Sequence, residues 1–335
     1  SKLAYAPVLG TAVDRGFWMR GMLTLHVGVS LVVASALRSL GDDPWSLGIA
    51  FFLVGLGYGT VLPLVEATIL ERLSQRTYGW LRVWGSIGFV VAASVAGPVI
   101  APDIVTRFPI VLTVALAVLL LACVPLERAT RPTSGSRRER LPAVVWCLLA
   151  LLTLHQVAHG PYYAFFSIHL EENGYTSLTV GGMWSLGVAA ELVAFVASPW
   201  LHRWLGLRRL LGLSLLLSPG RWLLLALPLS TGTLIIAQLG HALTYALAHL
   251  AGIQLVQANV PVGATRYAQA LYSGLGFGLG IVVGTACAGP LYQRVGGGGS
   301  FLVAAIFAAG LFVAWVPLGG RLLQERSPER DAPAN

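Results

Sequence analysis

The chain has 335 residues, of which 56% are hydrophobic and only 11% charged, whereas a soluble domain carries about a quarter charged residues. A net charge of +8 is compatible with nucleic-acid binding, but the basic residues sit mainly in alternate joints between apolar stretches, as membrane topology demands. Cys123, Cys147 and Cys287 lie in apolar stretches at spacings that match no metal motif and no disulfide framework. All basic residues but Lys2 are arginines, which hints at a GC-rich bacterial genome.

In chain order, the first apolar stretch, Leu3 to Val13, is too short to span a bilayer at about 1.5 Å per residue. It reads as the tail of a helix that begins before this sequence does. Spanning helices are then predicted at 21–40, 46–71, 78–101, 104–125, 143–169, 176–200, 208–228, 231–257, 266–292 and 300–320, each close to the roughly 20 residues that cross the hydrocarbon layer. One set of joints holds seventeen arginines, among them Arg72, Arg76 and Arg82, Arg137, Arg138 and Arg140, and Arg203, Arg208 and Arg209. The opposite set holds three, Arg38, Arg107 and Arg294, together with Asp42, Asp43, Asp103, Glu171 and Glu172. The positive-inside bias places the first set, and the C-terminus, in the cytoplasm.

The longest polar joint, Glu127 to Pro142, is basic and rich in Ser and Pro. It divides the chain into a transmembrane bundle over 1–127, a cytoplasmic linker over 128–142, a six-helix bundle over 143–320 and a cytoplasmic tail over 321–335. The expected fold is an all-α membrane protein of two pseudo-symmetric six-helix halves, with the first helix and part of the second outside this sequence.

Several segments carry a resemblance beyond that layout. YGWLRVWGSIGFV at 78–90 is similar to the start of the fifth helix in a branch of the major facilitator superfamily. HGPYYAFFSIHL (159–170), MWSLGVAAELVAF (183–195), GRWLLLAL (220–227), GHALTYALAHLAG (240–252) and YAQALYSGLGFGLG (267–280) continue the likeness in order. That branch includes the bacterial 3-phenylpropionate permeases and relatives of the oligosaccharide and nucleoside proton symporters. Gly10-x-x-x-Asp14-Arg15, with Arg20, resembles the superfamily's loop signature between helices two and three, which implies a role in setting the conformational equilibrium. The matching joint of the second half, Leu201–Arg209, keeps the basic residues and lacks the acid.

Charges inside the spans mark the functional question. A charged side chain at the bilayer centre costs roughly 2.5–3.5 kcal/mol on insertion scales, so it faces a cavity or a partner. Two acids lie well inside predicted spans, Glu66 and Glu191. Glu191 is near mid-span, seven residues after Trp184 and so on the same face. Glu66 lies nearer the arginine-rich end, where pairing with a nearby arginine is an equal reading. Arg221 lies deep in its span and needs a counter-charge, either Glu191 or an anionic substrate.

His155 and His159 share a helix face, continued by Tyr162 and Tyr163, and Gly160-Pro161 should kink that helix. Gln238, His241, Tyr245 and His249 form a second polar stripe. Any one of these histidines can equally be a satisfied interior donor. No acid or cysteine shares their spacing, so no metal is assigned. Gln269, Tyr272 and Ser273 open a glycine-rich helix whose small residues suit close packing.

The expected function is proton-coupled secondary transport of a small organic solute by alternating access, with no cofactor beyond the proton gradient and no enzyme activity. The resemblance points to an aromatic carboxylate such as phenylpropionate. Arg221, Trp184, His155, His159, Tyr162, Gln238, His241, Tyr245 and Tyr272 are the expected substrate contacts. Glu191 leads Glu66 as proton carrier, since desolvation disfavours a charged carboxylate. The expected partners are substrate, protons and lipid, with no nucleic acid, and a monomer in the inner membrane. A sugar or nucleoside symporter, or a sensor that kept the fold without flux, would use the same stripes.

Overall fold

The computed structural model describes residues 19–39, 43–58, 103–123, 141–261 and 264–321, with residues 61, 65, 84, 85, 87 and 88 besides. Every described element is helical. The described helices fall into two compact units.

The first unit holds α1 (Met19–Ala36), α2 (Pro44–Tyr58), α3 (Ile104–Cys123) and, from far along the chain, α9 (Thr265–Tyr272). Asp43 starts α2, its carboxylate accepting from the Ser46 amide at 2.8 Å and the Ser46 hydroxyl at 2.6 Å. Those bonds hold the Asp43 carboxyl below its ordinary range. Asp103 caps α3 in the same way through the Thr106 amide at 3.1 Å. An acid at a helix N-terminus satisfies orphan amides and meets the positive end of the helix dipole. α1 packs against α2 and α3 through Ala34, Leu37, Ala50, Val54 and Leu116. Ser30 ties α1 to α2 by donating to the Val54 carbonyl at 3.1 Å.

The second unit holds α4 (Ala143–Ala158), α5 (Gly160–Glu172), α6 (Ser177–Ala226), α7 (Thr231–His241), α8 (Leu247–Ala258) and α10 (Ile281–Arg321). The single predicted span over 143–169 is broken between α4 and α5, where Pro161 removes a backbone donor. The predicted spans 176–200 and 208–228 run together as α6, with a reversal at Gly206, where φ is 74°. α10 is interrupted in the same manner at Gly296, with φ of 68°. Both conformations lie where a Cβ is penalised, which explains glycine at each joint. A π-helical turn, Ala242–Ala246, separates α7 from α8.

By length and composition, five described runs are long and apolar enough to cross a membrane: Thr106–Cys123, Ala143–Glu172, Leu178–Ala226, Thr231–Ala258 and Tyr267–Gly319. The interior is mainly apolar, but large apolar side chains also cover the outside and several polar ones are buried. Val193, Ile236, Val282, Ile306 and Val313 are exposed, while Arg221, Gln238, His155, His159 and His241 are buried. α10 packs along both α5 and α6. Its approach to the α4–α5 break is close: a Cβ on Gly160 would strike the backbone of Gly284, and one on Gly280, the residue just before α10, would lie 2.7 Å from the Thr153 carbonyl. Small residues permit that approach.

Candidate functional site

Arg221 is the centre of a polar cluster inside the second unit. α6 carries it, and only 3% of its surface is exposed. Its Nε donates to the Ala237 carbonyl of α7 at 2.9 Å. The guanidinium carbon lies 4.4 Å from the centre of the Tyr162 ring and 4.3 Å from that of Trp222. Desolvated cation–π contacts of this kind contribute about 2 kcal/mol. Nη1 and Nη2 have no hydrogen-bond partner among the described residues, although an unsatisfied buried donor costs about 1–3 kcal/mol. The guanidinium is therefore fixed through its faces and one edge, and its fork of two N–H groups matches the geometry of a carboxylate.

Glu191, also on α6, pairs with His241 of α7, Oε1 to Nε2, at 2.7 Å. Tyr162 connects this pair to Arg221: its ring centre is 5.2 Å from that of His241. The Tyr162 hydroxyl donates to Gln238 Oε1 at 3.0 Å, which leaves the Gln238 amide nitrogen without a partner among the described residues. His155 Nε2 donates to the Thr244 carbonyl and His159 Nδ1 to the His155 carbonyl, each at 2.9 Å. A carbonyl can only accept, so the bonded nitrogen of each ring carries the hydrogen. The opposite nitrogen, Nδ1 of His155 and Nε2 of His159, is then an acceptor when the ring is neutral.

The polar stripe on α7 and α8 is a stack of rings. His241 and Tyr245 are 5.0 Å apart and inclined by 13°, and Tyr245 and His249 are 6.5 Å apart and inclined by 10°. A regular helix would rotate such a stripe by about 80° over eight residues. The π turn at Ala242–Ala246, with its i→i+5 bonding, takes up part of that rotation. The Thr244 carbonyl in that turn also accepts from Ser214 of α6 at 2.7 Å, so one oxygen pins α4, α6 and the π turn together.

An aromatic wall completes the cluster. Trp184 lies 4.7 Å from Tyr162 and 5.3 Å from Phe166. Its indole N–H is used by Ser167 Oγ at 3.0 Å, so Trp184 offers a ring face and no free donor. Gly187 borders the same cluster: a Cβ there would lie 3.4 Å from Gln238 Oε1 and 3.7 Å from the Tyr162 hydroxyl.

The structure thus brings together Arg221, Trp184, His155, His159, Tyr162, Gln238, His241, Tyr245 and Glu191. Glu191 meets His241, and the two Nη groups of Arg221 make no hydrogen bond to it. Tyr272 ends α9 and belongs to the first unit. Arg20 stands near the start of α1, while Gly10, Asp14, Arg15 and Glu66 lie outside the described residues. Trp222, Tyr163 and Gly187 are site residues that the sequence pattern did not single out as contacts. Tyr163 had a signal, its four-residue spacing from His159, and the two rings stack at 6.0 Å. Trp222 had none, because adjacent residues on a helix point about 100° apart.

Among the described residues, no group of three or more His, Cys, Asp or Glu side chains could hold a metal ion. Residues 2–303 match the family model described as MFS_1 like family. The chain is 31% identical over 273 residues to a probable 3-phenylpropionic acid transporter of Escherichia coli (strain K12), covering 77% of this chain and 70% of that protein. Among solved structures, the nucleoside transporter NupG superposes with a TM-score of 0.70 at 14% identity, over 95% of this chain and 88% of that one. The E. coli fucose:proton symporter FucP superposes with a TM-score of 0.71 at 11% identity, over the same shares of the two chains.

Proposed function

This chain belongs to the MFS_1 like family of major facilitator transporters, multi-pass membrane proteins and not enzymes, and from that premise we propose that it is a proton-coupled symporter of an aromatic monocarboxylate, of which 3-phenylpropionate is the representative. The observation that carries the proposal is Arg221, buried, clamped between Tyr162 and Trp222, with both Nη groups lacking hydrogen-bond partners among the described residues. A carboxylate meeting that fork forms two charge-assisted hydrogen bonds and removes the cost of the unsatisfied donors. The aromatic wall of Tyr162, Trp184 and Phe166 suits the ring of the same substrate. The name of the E. coli relative points to this substrate class.

Proton coupling follows from charge balance. Arg221 balances the charge of Glu191, so an added carboxylate leaves the poorly hydrated site with one negative charge in excess, which is costly unless a proton enters with it. The Glu191–His241 pair is the place for that proton. One monocarboxylate and one proton leave the site's charge unchanged, so the translocated complex is electroneutral. We place the protein in a bacterial inner membrane as a monomer, with the 128–142 linker and the C-terminus in the cytoplasm.

Calorimetric titration of the purified protein tests the substrate class. 3-Phenylpropionate is expected to bind, and 3-phenylpropanamide, of the same shape without the charge, to bind at least tenfold more weakly. Equal affinity for acid and amide would remove the role given to Arg221. Binding of maltose or a nucleoside with no response to the acid would move the assignment to a neutral polar solute read by Gln238 and Tyr162.

A further inference from the structure

A groove of about 470 Å³ opens on the outer surface of the second unit, between the residues that follow the Gly206 reversal and the last turns of α10. Arg208 and Arg209 stand at its mouth, and Leu213, Leu216, Phe312 and Val316 line its length. Leu216 and Val316 are 50% and 61% exposed, so the groove faces the surroundings of the protein, whereas Arg221 is buried and does not line it. Trp315 forms its floor, seated against two glycines: a Cβ at Gly212 would lie 2.7 Å from the indole nitrogen and one at Gly319 2.5 Å from the ring.

The groove is two-faced in a definite order. The helix reverses at Gly206, so Arg208 and Arg209 mark the edge of the membrane. Trp200 and Trp204, both exposed, lie on the same edge, where amphipathic indoles collect. From Arg209 to Leu216 the helix descends about 10 Å, most of one leaflet of a 30 Å hydrocarbon layer. Among the described residues, the charged side chains that line the groove, Arg208 and Arg209, are both cationic. A cationic mouth over an apolar trough at that depth complements one kind of molecule, a lipid with a phosphate at one end and a hydrocarbon chain below it.

We propose that this groove is a binding site for an anionic phospholipid, its headgroup phosphate held by Arg208 and Arg209 and one acyl chain laid along Leu213, Leu216 and Phe312. The site joins the Gly206 reversal to the end of α10, so an occupied groove fastens those two segments to each other.

The test is native mass spectrometry of the full-length protein in detergent, titrated separately with phosphatidylglycerol, phosphatidylcholine and glycerol 3-phosphate. One phosphatidylglycerol is expected to be retained, at least tenfold more tightly than phosphatidylcholine, and glycerol 3-phosphate is expected not to compete. R208A/R209A should weaken phosphatidylglycerol about 25-fold, near fivefold for each arginine, and R208Q/R209Q repeats the test if the first variant fails to fold. L216W keeps both arginines and fills the trough; it should also lose the retained lipid. Equal retention of the two lipids would overturn the proposal. So would undiminished phosphatidylglycerol on L216W, which means attraction to a basic surface alone, or competition by glycerol 3-phosphate, which means a site for phosphate and not for lipid.

Discussion

Arg221 rests on the ring of Tyr162, with its guanidinium carbon 4.4 Å from the ring centre. Another neighbour of that ring is His241, the partner of Glu191. One aromatic side chain therefore touches both the group that suits an anion and the pair that suits a proton, which gives the two events a shared physical contact. Removing only its hydroxyl separates the two contributions. Tyr162→Phe leaves Gln238 Oε1 without its donor, so unfolding in detergent should become easier by about 1–3 kcal/mol, while affinity for 3-phenylpropionate stays within threefold. Tyr162→Leu loses the ring and should weaken binding at least tenfold. Equal affinity of the Leu variant and the parent, measured by calorimetry, would take Tyr162 out of the binding wall.

Arg221→Ala should weaken carboxylate binding by roughly 10- to 100-fold, the range of a hydrogen bond to a charged group, and leave the affinity for 3-phenylpropanamide unchanged. Arg221→Lys keeps the charge and loses the planar fork, so it should recover only part of the loss. A uniform loss for acid and amide in both variants would make Arg221 a packing residue.

Glu191→Gln should abolish accumulation driven by a proton gradient and leave exchange between equal internal and external substrate pools largely intact. The variant keeps the side-chain shape and can still bond to His241. Accumulation that survives in Glu191→Gln and disappears in Glu66→Gln would transfer the proton to Glu66.

Gly187→Leu should block binding without unfolding the protein. A side chain there extends toward Gln238, Tyr162 and His241, all of them site residues, whereas its neighbour Gly182 has nothing within 4 Å of a Cβ. Gly182→Leu is thus the matched control. Unaltered uptake by Gly187→Leu would show that substrate passes elsewhere.

Cysteines introduced at 130–138 should resist a membrane-impermeant maleimide added to intact cells and react once the cells are opened. Labelling from outside would reverse the orientation assigned from the arginine bias.

Among the described residues the helical layout was legible because an apolar run near 20 residues matches the thickness of the hydrocarbon layer when it is wound into a helix; the predicted span over 78–101 and the end of the one over 46–71 lie largely outside the described residues. The break at Gly160-Pro161 was legible for the local reason that proline cannot donate to the preceding turn. Arg221, Glu191 and the His241 stripe were conspicuous because charge and polarity are expensive at that depth. What escaped was pairing. Whether Glu191 would meet Arg221 or another group depends on how the two arms of α6 on either side of Gly206 pack against each other and against α7, and His241 takes the carboxylate. Trp222 escaped because its contact with Arg221 requires the long guanidinium stem to fold back over a neighbour in sequence, which periodicity does not encode. The π turn likewise leaves no mark in the residue pattern of GHALTYALAHLAG.

The most direct measurement is uptake of radiolabelled 3-phenylpropionate into proteoliposomes holding the purified protein, with the pH gradient and the membrane potential imposed separately. Accumulation is expected with an inward proton gradient, at the same level whether or not the potential is clamped by potassium and valinomycin, and it should be lost in Glu191→Gln and Arg221→Ala. Binding of the acid without any accumulation under an imposed pH gradient, or accumulation that follows the potential alone, would contradict electroneutral proton-coupled transport through this site.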